Sequence, residues 1–183
     1  MLVIVTPPAA EPVSLAEAKL YLRVDSETED TLISGMIIAA RTYAERVLRR
    51  ALITQTLELT LDDWPAGNTI TLPMPPLQSV TSLKYTDDDA VEHTLAASEY
   101  LVDTASVPGR VVLKDDYSWP TDDLRESGAI KVRYVAGYGA AGTAVPYTVL
   151  LAIKMMIGHL YENREAQEMP NAVDLLLWPD RVL

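Results

Sequence analysis

The chain has 183 residues, with 15 Lys and Arg against 26 Asp and Glu, and a formal net charge of −11. That acidic surplus argues against a protein that grips phosphate backbones with a broad basic face, and the absence of Cys excludes a disulfide scaffold, a thiolate metal site and a cysteine nucleophile. Hydrophobic residues at 49% and charged residues at 22% are globular proportions that argue against wholesale disorder, and the length suits one compact domain or two small ones sharing a core.

The N-terminal residues Met1 to Pro8 are apolar for only a few positions, lack a basic leader and run into Pro7-Pro8, so no signal peptide is expected. The longest apolar run, Val145 to Leu160, is interrupted by Pro146, Lys154 and His159 and is shorter than the roughly 20 residues a membrane span needs. A soluble protein made in a cytoplasm is expected.

The first fifty residues read as helical. Ser14-Leu15-Ala16-Glu17 has the capping-box pattern, in which Ser14 accepts from the Glu17 amide and the Glu17 carboxylate reaches back to the Ser14 amide. Leu15, Ala18, Leu20 and Leu22 give a short helix its apolar side. Ser26-Glu27-Thr28-Glu29 repeats the box, with acids placed where the helix dipole favours them. A helix is predicted over Thr28 to Arg50, because Leu32, Ile33, Met36, Ile37, Ala40, Tyr43, Ala44, Val47 and Leu48 share one face. Arg46, Arg49 and Arg50 cluster at its C-terminal end and, with Arg41, are suited either to neutralising that end or to a subunit contact.

The period then changes to two. Leu57 to Leu61 alternates as a half-buried strand, and Thr69 to Leu72 across the turn Trp64-Pro65-Ala66-Gly67-Asn68 would complete a hairpin. Pro73, Pro75 and Pro76 mark an extended crossing segment. Val80 to Thr86 returns through Asp87-Asp88-Asp89-Ala90 to Val91–Leu95, and Tyr100 to Asp103 and Arg110 to Leu113 flank a Pro108-Gly109 turn. Ala129 to Ala136 is a late strand. Short strands without βαβ alternation predict an antiparallel sandwich or small barrel. After Gly137 to Gly142, a last helix begins near Pro146 and is apolar nearly all round, as an enclosed helix is. Met169-Pro170-Asn171-Ala172 breaks it.

The expected fold is α+β: a small helical bundle, two N-terminal helices plus one C-terminal helix, with an inserted antiparallel β-sandwich or barrel-like lobe. The expected borders are residues 1–50 and 146–165 for the helical core, 51–145 for the lobe and 166–183 for a C-terminal arm. The lobe holds 14 acidic and 6 basic residues, so most of the net charge sits there.

Chemistry is sparse. His159, Glu162 and Glu165 could share a helical face as metal ligands or a base, but no second helical His completes a carboxylate-bridged site. Asp87-Asp88-Asp89 lacks the spacing and distal Glu of a calcium loop and reads as a solvated turn. Asp115-Asp116 and Asp122-Asp123 around Tyr117 and Trp119 could meet cations or sugar, though a loop kept soluble by charge is the commoner case. His93 has no evident partner. Gly137-Tyr138-Gly139-Ala140-Ala141-Gly142 matches a dinucleotide motif in letters only, since no parallel βαβ unit surrounds it. No catalytic, metal or cofactor site, and no cofactor, is expected. The tail is different. Leu175, Leu176, Leu177, Trp178, Val182 and Leu183 form an apolar cluster that must fold back on the core or meet a partner.

Several blocks, in order, carry a resemblance. They are Val5-Thr6-Pro7-Pro8-Ala9-Ala10-Glu11-Pro12-Val13-Ser14-Leu15-Ala16-Glu17-Ala18-Lys19 with Leu22-Arg23-Val24-Asp25, Pro75-Pro76-Leu77-Gln78-Ser79-Val80, Val102-Asp103-Thr104 with Pro108-Gly109-Arg110, Val135-Ala136-Gly137-Tyr138, and Gly158-His159-Leu160-Tyr161-Glu162-Asn163-Arg164-Glu165. Their succession resembles the head–tail connector (adaptor) proteins of long-tailed phages, prophages and gene transfer agents. The resemblance implies a non-enzymatic virion-neck protein, one subunit of a ring, usually twelve-fold, beneath the portal. That ring would receive a stopper or tail protein and pass double-stranded DNA. It implies that the C-terminal arm, Leu175 to Leu183, reaches the portal. It also places Tyr161, Glu162 and Arg164, with the arginines at 46, 49 and 50, in a structural or subunit-interface role. The other readings are a tail or baseplate-associated binding module, and a metal-dependent hydrolase using His159.

Overall fold

The computed structural model describes residues 1–163 and 170–182. The chain forms two compact units, residues 8–54 with 138–183 and residues 1–7 with 55–137.

In the helical unit, α1 (Leu15–Leu22) starts from the expected capping box. Glu17 N donates to Ser14 Oγ at 3.2 Å and Ser14 N donates to Glu17 Oε2 at 3.0 Å. The backbone and hydroxyl of Ser14 hold the Glu17 carboxyl below its ordinary pKa. Arg23, in the left-handed conformation, ends the helix. The second expected box does not form. Ser26 Oγ instead accepts from the nearby Thr28 N at 3.2 Å, so α2 (Asp30–Leu48) begins at Glu29 without a side-chain cap. Arg49, with φ 54°, ends α2 before the expected Arg50.

Ile33, Ile37, Ala40, Ala44 and Leu48 line the buried face of α2 at helical spacing. They meet Val149, Ala152, Ile153, Met156 and Ile157 of α3 (Tyr147–Glu162) in one core. Tyr161 Oη donates to Glu29 Oε2 at 2.6 Å, so the end of α3 lies at the start of α2 and the two helices run antiparallel. A further helix, α4 (Asn171–Leu177), follows the Pro170 break and leads into a 3-10 turn at Trp178–Asp180. Among the described residues no helix is long and apolar enough to cross a membrane.

The second unit is two antiparallel sheets with no closed barrel, consistent with the expected α+β class. The larger sheet has the order β1 (Leu2–Thr6), β2 (Gln55–Leu61), β8 (Ile130–Ala136), β4 (Leu77–Thr86), β5 (Glu92–Thr94). The smaller has the order β3 (Thr69–Thr71), β7 (Arg110–Leu113), β6 (Tyr100–Asp103). Residues 2–6 are therefore a strand, not part of a helical N-terminal region. The expected hairpin of β2 with β3 is absent as well. β2 pairs over Gln55 to Leu61 with the whole of β8 and on its other side with β1, which leaves β3 to pair with β7. A seven-residue ladder satisfies more main-chain groups than a three-residue neighbour could.

The β4–β5 and β6–β7 hairpins form as the turn residues foretold. Leu57, Leu83, Ile130, Val132 and Tyr134 are buried in this unit, and Tyr134 Oη donates to Pro73 O at 2.7 Å.

Candidate functional site

The C-terminal cluster is built by helical period. Val173 and Leu177, four apart on α4, are fully buried in the helical core, and Leu176 packs partly against it. Leu175 and Trp178, three apart, face outward at 75% and 63% exposure. With Asn171 and Asp174 they line a shallow hollow. The Arg181 guanidinium lies 5.4 Å from the centroid of the Trp178 ring, within cation–π range.

The tail is then clamped to the end of α2. Val182 N donates to Leu48 O at 3.0 Å, and Arg50 Nε donates to Asp180 O. Thr148 Oγ1, in the first turn of α3, lies 3.4 Å from Asp180 Oδ2. The apolar cluster thus splits between core and surface: Leu177 is core, Leu176 is half-buried, and Leu175 and Trp178 are exposed. Leu183 lies outside the described residues.

The expected subunit-contact residues are also divided. Arg46 and Arg49 are exposed at the C-terminal end of α2, where Arg50 is engaged with Asp180. Tyr161, bonded to Glu29, and exposed Glu162 lie at the opposite end of the antiparallel pair. Arg164 lies outside the described residues. One end of the helical pair is therefore basic and the other carries exposed acid.

Arg41, expected with Arg46, Arg49 and Arg50 to neutralise the helix end or meet a subunit, belongs instead to a buried ion cluster. Arg41 donates to Glu11 Oε2 at 2.7 Å and to Glu45 Oε2 at 2.9 Å, and Glu45 Oε1 accepts from Leu52 N at 3.0 Å. Arg41 and Glu45 are buried. Their i, i+4 spacing beside Ala40 and Ala44, inside the apolar stripe, was the available clue.

In the β unit Asp87 and Asp122, from two of the acidic motifs, are engaged in contacts within the unit. Asp87 Oδ1 accepts from Val91 N at 2.8 Å, and Asp87 Oδ2 lies 2.6 Å from His93 Nε2, so His93 has the partner that the sequence did not reveal. The hydrogen bond from His93 holds the Asp87 carboxyl below its ordinary pKa. Tyr85 stacks on His93 at 4.9 Å and donates to Asp122 Oδ2 at 2.7 Å, and this bond pushes the Tyr85 phenol up to about 12. Trp64 and Trp119 stack at 4.6 Å with an interplanar angle of 7°. The Asp122-Asp123 loop is thereby tied to the β4–β5 hairpin.

His159 Nδ1 lies 3.2 Å from Asn163 Nδ2, Glu162 is exposed and Glu165 lies outside the described residues. Among the described residues no three His, Cys, Asp or Glu side chains gather as a metal site. The glycine segment after β8 does not lie in a parallel βαβ unit. Both neighbours of β8 are antiparallel, Gly139 O accepts from Thr54 N at 2.9 Å, and Gly142 lies against the backbone of Pro12.

A family model described as head completion protein matches residues 12–171. No curated protein matches. Among solved structures, the chain is similar to a chain of the virion of the native gene transfer agent particle, at 26% identity and a TM-score of 0.83. It is similar to a chain of the neck of the empty particle computed with C6 symmetry, at 26% identity and 0.84, and of the neck of the native particle computed with C12 symmetry, at 27% and 0.82. Each match covers 100% of this chain and 96% of the other. With most of its length matched by the family model, the chain belongs to the head completion protein family.

Proposed function

We propose that the chain is a structural head–tail connector that assembles as a ring, with twelve copies, in the neck of a tailed phage or phage-like particle. The observation that carries this reading is the end-to-end similarity, at TM-scores of 0.82 to 0.84, to chains of particle necks solved with C6 and C12 symmetry. In this role the ring binds the portal, receives the stopper or tail protein and passes DNA. It needs no catalytic group.

Three features of the chain support it. The exposed pair Leu175 and Trp178 is the apolar anchor of the portal contact, with Val182 and Leu183 beyond it. Residues 51–145, with 14 acidic and 6 basic residues, give the β unit a charge that repels DNA rather than holding it. Arg46, Arg49 and Glu162, at opposite ends of the helical pair, are suited to a head-to-tail contact between copies, since such a contact uses two different faces of one subunit.

The test is association with purified portal, read by electron microscopy. The expected result is a ring of twelve-fold symmetry on the portal. Removing everything after Glu165 would also strip Val173 and Leu177 from the core, so the informative variant is Leu175→Asp with Trp178→Ala. It should weaken portal binding by about 30-fold or more while the chain still unfolds cooperatively, its transition lowered only by the lost Arg181–Trp178 contact. A chain that never associates with the portal overturns the reading.

A further inference from the structure

The five-stranded sheet ends on an edge that is blunted only at its C-terminal end, by the register shift between Ile4 and Thr6. β1 pairs with β2 only. Met1 N donates to Thr60 O at 2.7 Å and Thr60 N donates to Met1 O at 2.8 Å, so this pair exchanges both bonds. By antiparallel alternation Val3 turns its main-chain groups toward Glu58, whereas Leu2 and Ile4 turn theirs to the free edge.

The side chains are as unusual as the backbone. Leu2 and Ile4 stand opposite Leu59 and Leu57 and so extend the buried face of the sheet, yet Ile4 is 53% exposed where Leu57 is 1% exposed. Val3 and Val5 are exposed on the other face. Leu2 to Thr6 contains no charge, proline or glycine, and its pairing is irregular only between Ile4 and Thr6. Natural edge strands are kept apart by short length, charge, proline or bulges. The opposite edge follows that rule: β5 has three residues, and its Glu92 is paired with Lys84 at 2.6 Å.

One other edge of this unit has the same character. β6 borders the three-stranded sheet and pairs with β7 alone. Its consecutive Leu101 and Val102, which point to opposite faces, are both exposed. Its single charge, Asp103, is paired with Arg110 at 2.8 Å.

We infer that β1 of one copy pairs with β6 of the next copy, so that the sheets run on across the junction between neighbours. Three observations select a second copy as the occupant. The two edges are different strands of one unit, which is what a ring of identical subunits requires, whereas β1 on β1 would close a dimer. They are matched in length, five and four residues, and both carry apolar side chains on both faces. Copies with a net charge of −11 repel, and these are edges where they can meet without opposing unpaired acids. The inference rests on the ring reading above.

Because the chain has no cysteine, single cysteines report the junction directly. Ile4→Cys protein is mixed in equal amounts with Leu101→Cys or with Val102→Cys protein, assembled on the portal and oxidised. A mixed disulfide dimer in at least one combination is expected. A normal ring without a mixed disulfide in either combination, or Ile4→Cys coupling to itself or to the portal, overturns the pairing and leaves the connector reading standing. Ile4→Pro removes an edge-facing N–H without touching the β1–β2 bonds, and should weaken ring assembly about tenfold or more with an unchanged thermal transition. Normal assembly of Ile4→Pro overturns the pairing. If the unaltered protein forms no ring with the portal, the connector reading fails first and the pairing fails with it.

Discussion

Arg41 and Glu45, one turn apart on α2, form a 2.9 Å ion pair inside the helical core. The pair does more than hold one helix. Arg41 also binds Glu11 of the segment before α1, and Glu45 accepts the amide of Leu52 just after α2. Two side chains thus fix both the segment that leads into α1 and the segment that follows α2.

Glu45→Ala should therefore be among the most damaging substitutions in the helical unit. It leaves the Arg41 charge buried with Glu11 as its remaining carboxylate, and it leaves the Leu52 amide without its acceptor. Breaking a buried pair from one side costs about 3–5 kcal/mol. Chemical denaturation of the purified variant, with an unchanged slope and a much lower midpoint, is the expected outcome. A midpoint equal to that of the unaltered protein would show that the cluster contributes nothing.

The connection from β8 into α3 makes a second prediction. A Cβ at Gly142 would lie 2.0 Å from Pro12 O, a backbone atom that cannot swing aside. Gly142→Ala should cost about 1–3 kcal/mol through forced displacement of residues 12–14. Gly35, with nothing within 4 Å of an added Cβ, is the matched control inside α2, and Gly35→Ala should be neutral or stabilising by up to about 1 kcal/mol. Thermal unfolding of the two variants side by side distinguishes the effect of close approach from that of glycine loss in general.

Sequence reading succeeded mostly where the cause was local, although the equally local Ser26–Glu29 box did not form. The stripe from Ile33 to Leu48 follows the helical period, the Ser14–Glu17 box needs only four residues, and the β4–β5 and β6–β7 hairpins are closed by their own turn residues. It failed where distant segments competed. β1 is a strand because Glu58 and its neighbours, more than fifty residues on, offer it a ladder, and β2 abandons the adjacent β3 for β8. Arg41 and Glu45 were hidden for a related reason: an i, i+4 charge pair looks like helix surface until Glu11 and Leu52 are seen to cover it. The split of the tail cluster into buried Leu177 and exposed Leu175 became legible only once α4 supplied a helical period.

Asp103 gives a pH prediction. The Ser106 hydroxyl, the Arg110 guanidinium and the Ser106 amide all donate to its carboxylate, which holds its pKa far below the ordinary 3.8. With the folded-state value lower than the unfolded one, the unfolded chain takes the proton first. The contribution is therefore complete above about pH 4 and is lost as pH falls through the folded value. An NMR titration should show the Asp103 carboxyl still ionised well below 3.8. Asp103→Asn should speed amide exchange at Ala105 and Ser106 and flatten the acid dependence of the β6–β7 hairpin; a midpoint near 3.8 would contradict this assignment.

The last prediction separates the two faces of α4 by stability alone. Leu177 is fully buried with Val173 against α2 and α3, so Leu177→Ala opens a cavity and should cost about 2–5 kcal/mol. Leu175 is two positions away in sequence but 75% exposed, so Leu175→Ala should change stability by no more than about 0.5 kcal/mol. Trp178→Ala should fall between them, since it loses the Arg181 contact, of about 0.5–1 kcal/mol at an exposed site. Equal losses for Leu175→Ala and Leu177→Ala would mean that α4 does not pack by this face. Distinct losses would leave Leu175 as a side chain whose retention in the free subunit is not explained by folding, and Trp178 as one explained only by its Arg181 contact, which is the condition a partner-binding pair must meet.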